Sequence, residues 1–97
     1  MPLFLVQHTH TAENCPRNNP ETLRKIASHF TANNAGKHGV KLLADWVNPP
    51  AHTAILVLET DVAEKAVSFA LPLLEIGSLT IQAGATWEEV ARQHLGQ

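Results

Sequence analysis

The chain has 97 residues, 44% of them hydrophobic and 16% charged, with a formal charge of −2. That length suits a single domain over residues 1–97, and that composition excludes a disordered chain. Seven Lys and Arg against nine Asp and Glu leave no basic patch, so no nucleic-acid partner is expected.

The opening Met1-Pro2-Leu3-Phe4-Leu5-Val6 is apolar but too short for a signal peptide or a membrane span. No membrane partner and a cytoplasmic location are therefore expected. Leu3 to His10 reads as a strand. Leu3, Leu5, Gln7 and Thr9 alternate with Phe4, Val6, His8 and His10, so each set shares a face. Thr11 to Asn18 reads as a loop. Asn19-Pro20 opens a helix, with Asn19 as cap, Pro20 at the first position and Glu21 in the first turn. Leu23, Ile26, Ala27 and Phe30 form its apolar stripe, and Asn33-Asn34-Ala35-Gly36 is expected to end it.

Val40 to Val47 is expected as the second strand, Asn48-Pro49-Pro50 as a turn, and His52 to Glu59 as the third strand. Asp61 and Glu64 have capping-box spacing for a second helix, with Ala63, Ala66, Val67 and Ala70 on its inner face. Pro72 should stop that helix near Leu71. Leu79 to Ala83 is expected as a short last strand. Thr86 and Glu89 form a further capping box, opening a terminal helix from Trp87 to Leu95.

The order β-α-β-β-α-β plus a short C-terminal helix is α+β and ferredoxin-like, with a four-stranded antiparallel sheet. One sheet face would stay bare, a reason to form a homodimer. Pro72-Leu73-Leu74-Glu75-Ile76-Gly77, a short strand, and then Thr86-Trp87-Glu88-Glu89-Val90 resemble the C-terminal half of small proteins of the dimeric α/β-barrel superfamily. That resemblance implies two sheets packed face to face. Histidines on the first strand bind metal in some members, and the resemblance implies the same for His8 and His10.

His8-Thr9-His10 and Cys15, the chain's one cysteine, carry the chemistry. An H-x-H pair on a strand places two imidazoles on one face, about 7 Å apart at Cα. Antiparallel pairing of the first and third strands brings His52 to the same end, so the expected ligand set is His8, His10, Cys15 and His52. Imidazoles with a thiolate suit a transition-metal ion: copper first, with zinc, nickel or iron as alternatives. Glu13 is the one general base near the cluster, which favours electron transfer, sensing or metal handling over hydrolysis. A small cofactor-independent monooxygenase or isomerase is the alternative, with a histidine as acid or base. An incidental role for the histidines in a structural dimer, and a nucleophilic Cys15, are further readings.

Overall fold

The computed structural model describes residues 2–96. Its elements are β1 (Leu3–His10), α1 (Pro20–His29), α2 (Ala32–Lys37), β2 (Lys41–Asn48), β3 (Thr53–Glu59), α3 (Ala63–Ala70), β4 (Gly77–Gly84) and α4 (Trp87–Leu95). Short 3-10 segments, Pro16–Asn18 and Leu71–Glu75, precede α1 and follow α3. The strands form one antiparallel sheet in the order β2-β3-β1-β4. This is an α+β architecture compatible with the ferredoxin-like arrangement.

Strand β1 lies inside the sheet, paired on both edges. His8 is opposite Ala54 on β3 and Leu79 on β4, and His10 is opposite Gly77. The C-terminal end of β1 therefore lies beside the starts of both β3 and β4. A Cβ on Gly77 would overlap the Thr9 carbonyl oxygen and crowd His10, so β4 passes too close for any side chain there. This approach lets β4 begin two residues before the expected Leu79.

The alternation of β1 is as the residue pattern requires. Phe4, Val6 and His8 are buried towards the helices, whereas Gln7 and Thr9 are exposed on the other face. Phe4, Val6, Leu56 and Leu58 meet Phe30, Ala66, Phe69 and Leu73 in the core. Burial of these side chains is the main stabilising contribution.

Several helical details depart from expectation. Asn19 caps α1 as anticipated, its Oδ1 accepting from the Glu21 and Thr22 amides at 3.1 and 3.2 Å. Asn33 to Gly36 do not end that helix. They lie in the separate α2, because Thr31 Oγ1 accepts from the Asn34 amide at 3.2 Å and starts a new turn. Asp61 is no cap for α3: Val62 occupies that position without a side-chain bond, and Asp61 pairs with Lys65 at 3.0 Å. The inner face of α3 is Ala66, Phe69 and Ala70, while Ala63 and Val67, both expected inside, turn outward. Burying the Phe69 ring outweighs burying the smaller Val67. Pro72 does stop α3, and the chain continues as the 3-10 segment.

Helix α4 begins on the expected cap, with Thr86 Oγ1 accepting from the Glu89 amide at 3.1 Å. None of its residues is buried, and Trp87 is 88% exposed. Among the described residues, no helix is long and apolar enough to cross a membrane.

Candidate metal centre

Three short segments converge at the end of β1. The His10 amide donates to the His52 carbonyl at 3.1 Å, extending the β1–β3 ladder by one bond. The His52 amide donates to the Pro49 carbonyl at 3.1 Å, closing the turn. His52 has φ of +55°, the left-handed region, and lies just before β3 rather than opening it. A side chain in that region costs roughly 1–2 kcal/mol.

Cys15 returns to the same place through a folded loop. The Asn14 amide donates to Thr11 O at 3.2 Å and the Cys15 amide to Ala12 O at 3.3 Å. The Asn18 side chain donates to Ala12 O at 3.0 Å and the Asn18 amide to Cys15 O at 3.0 Å. Cys15 is buried as a result. Its thiol accepts from Arg17 Nε at 3.5 Å. That hydrogen bond, followed by one from the Arg17 backbone and, against the opposing effect of burial, by the guanidinium charge, holds the thiol pKa below its usual value and favours the thiolate.

One donor atom each from His10, Cys15 and His52 lie within 4.8 Å of one another. That spacing is within about an ångström of the ligand separations a bound zinc or copper ion imposes. His8 stands one hydrogen bond behind this group. Its Nδ1 is 2.8 Å from the Ser78 carbonyl and its Nε2 is 3.0 Å from His10 Nδ1.

These contacts assign the ring protons. A carbonyl only accepts, so His8 Nδ1 carries the hydrogen. Burial lowers the His8 pKa, against the opposing Ser78 bond, and keeps the ring neutral with a bare Nε2. His10 Nδ1 must then donate to that nitrogen. Burial also lowers the His10 pKa, reinforced by repulsion from His8, His52 and Arg17. The neutral His10 ring therefore carries its lone pair on Nε2. That atom is buried and has no hydrogen-bond partner among the described residues, and the same is true of His52 Nδ1. Leaving a buried polar atom unpaired costs about 1–3 kcal/mol. A cation bound by both atoms removes that cost.

The structure thus brings His10, Cys15 and His52 together and gives His8 a place as the support of His10. The other histidine cluster has a different character. His29 Nε2 donates to the Phe69 carbonyl at 2.6 Å, and Asn34 donates to His29 Nδ1 at 3.3 Å, so both nitrogens are occupied. His38 packs against that ring at 5.3 Å between centroids. Two members of the candidate centre were missed by sequence reasoning. Arg17 carried a signal in its position two residues after Cys15. Ser78 acts through its backbone carbonyl, which no side-chain pattern reveals.

Replacing His8 by Phe is expected to keep most of the packing and lower metal affinity about 10–100-fold, as for other groups that orient a ligand. Competitive chelator titration measures this. Unchanged affinity would remove His8 from any supporting role.

No protein-family model matches the chain, and no curated protein is significantly similar to it.

Proposed function

We propose that this chain is a transition-metal-binding protein with copper as its preferred ion. Its role is electron transfer, sensing or metal handling. One observation carries the reading: one donor atom each from His10, Cys15 and His52 lie within 4.8 Å of one another, and both histidines hold a buried nitrogen with no hydrogen-bond partner among the described residues. The donors are one soft sulfur and two borderline nitrogens, with no carboxylate among them. That composition suits copper and zinc over calcium or magnesium, and copper binds N/S donors most strongly among the divalent first-row ions.

Titration of the purified chain with copper, zinc and nickel salts tests the proposal. The expected result is one equivalent of copper bound more tightly than the others, with an intense visible band from the thiolate. A chain that binds none of them at one equivalent overturns it. The second reading, a metal-independent acid–base enzyme, is supported by the place of His8 and His10 in the lining of a largely apolar cavity of about 280 Å³ that Leu23, Ile26 and Leu56 also border. Turnover that survives complete chelation would favour that reading.

We further infer a ferredoxin-like fold of the dimeric α/β-barrel type. The sheet order supports the first part. The sheet face turned from the core supports the second. Leu3, Leu5, Ile55 and Val57 on that face are only partly buried, and Trp46 beside Ile55 is 50% exposed. A second copy of the same face is the self-complementary partner that covers it. Sedimentation at micromolar concentration should give a dimer, and Trp46→Glu should shift it towards monomer. A wild-type monomer under those conditions overturns this inference.

A further inference from the structure

One charged side chain sits on the centre without belonging to its donor set. Arg17 follows Cys15 by two residues, in the 3-10 segment Pro16–Asn18, and its Nε donates to Cys15 Sγ at 3.5 Å. The segment fixes that spacing, because the Asn18 amide donates to the Cys15 carbonyl at 3.0 Å. The ion pairs among the described residues are Lys65–Asp61 and Arg92–Glu88, and neither involves Arg17. No carboxylate there offsets the guanidinium, and the group it meets is the sulfur. Its charge also reaches His10, whose protonated form it disfavours.

We propose that Arg17 is a specificity-determining residue, which makes this a site for the singly charged cuprous ion in preference to zinc or the cupric ion. The inference rests on the metal-site reading and names the oxidation state that the site holds. Two independent features carry it. The first is charge. A ligating sulfur is a thiolate and ligating imidazoles are neutral. Thiolate and guanidinium cancel, so a divalent ion loses the Coulomb advantage that it has over a monovalent one at an unopposed thiolate. A hydrogen bond to the sulfur also draws electron density from it, which favours reduced copper. Arg17 is largely exposed, so solvent and salt screen part of its charge and hold the expected effect to about tenfold.

The second feature is the number of donors. No fourth His, Cys, Asp or Glu atom joins those of His10, Cys15 and His52 among the described residues. His8 is turned to the Ser78 carbonyl and to His10. Structural zinc takes four ligands in a tetrahedron, and the cupric ion favours tetragonal sets of nitrogen and oxygen. A soft thiolate in a smaller set selects Cu(I). The cupric form, which carries the visible band, is then the less favoured of the two.

Anaerobic competition titrations give the affinities of the full chain for Cu(I) and Zn(II), and a redox titration gives the potential of the copper-loaded protein. Wild type is compared with Arg17→Gln and Arg17→Met, both neutral, and with Arg17→Lys, which keeps the charge. Each neutral variant should narrow the preference for Cu(I) over Zn(II) about tenfold and lower the copper potential by about 59 mV, the one-electron equivalent. Arg17→Lys should retain most of the preference. The ratio cancels effects on folding and on proton competition at Cys15, which act on both ions alike. A ratio within threefold of wild type in the neutral variants, with metal still bound, overturns this proposal alone. Zinc held more tightly than Cu(I) by the wild type overturns it as well. Binding of neither ion removes the metal reading and this inference with it. One neutral variant is sufficient if the other fails to fold.

Discussion

Cys15→Ser is expected to eliminate the intense visible band of the copper-loaded protein and to weaken copper binding about 100-fold or more. The hydroxyl of serine is not ionised near neutral pH, so a charged soft donor becomes a neutral hard one. The electrostatics around it also reverse in value. In the native chain, the Arg17 guanidinium donates to Cys15 Sγ and favours its negative charge. Facing a neutral oxygen, the same guanidinium repels an incoming cation without compensation. The fold should persist, because the loop is tied by the backbone bonds of Asn14, Cys15 and Asn18 rather than by the thiol. Far-ultraviolet circular dichroism checks that point. Copper affinity within threefold of wild type would show that the thiol is not a ligand.

His52→Gly is expected to change stability and metal affinity in opposite directions. His52 pays for its left-handed φ of +55° with steric strain, and its buried Nδ1 has no partner. Glycine adopts that backbone freely, although it gives the unfolded chain more entropy, by about 0.5–1 kcal/mol. The balance leaves the metal-free protein equally stable or more stable by about 1 kcal/mol, a rise of a few degrees in Tm at this size. Copper affinity should fall about 100-fold, since one of three donors is gone. His52→Asn is the companion, because asparagine also tolerates the left-handed region while lacking the ring. Both variants should lose copper. Loss of stability with copper affinity intact would mean that His52 serves the turn alone. Strain retained at a residue whose removal relieves it is the usual mark of function.

Much of this centre was legible from local rules. The two-residue period of a strand placed His8 and His10 on the inner face of β1 with Phe4 and Val6. Antiparallel pairing then brought the His52 turn to the same end, as the bond from the His10 amide to the His52 carbonyl shows. The division of labour between His8 and His10 was not legible. It depends on the Ser78 carbonyl, which β4 delivers from 70 residues away. It depends equally on Gly77, whose missing side chain lets that strand approach. Helix faces failed where two readings competed at similar spacing. In α3, Val67 continues Ala63 at i+4 and Phe69 continues Ala66 at i+3, and the side with the larger ring took the interior. In α1 the stripe was correctly located but only half of it is used: Phe30 joins the core and Ile26 packs against it, while Leu23 and Ala27 stay exposed. The break before α2 came from a single Thr31 hydroxyl, which the Asn33–Gly36 run obscured.

Helix α4 has a consequence for folding order. Its Thr86 cap and the left-handed Gly96 at its end are well formed, but none of its nine residues is buried. Isolated helices this short are marginal in water, since the cost of nucleation is spread over few propagating bonds. Trp87, Val90, Ala91 and Leu95 recur along one side of α4, where Val90 and Ala91 are half-buried while Trp87 and Leu95 stay exposed. The backbone amides of α4 should therefore exchange with solvent far faster than those of β1, which is paired on both edges. Their protection should rise with protein concentration if association supplies the missing surface. The C-terminal turn would then be the last part of the molecule to become ordered, and the part most sensitive to dilution.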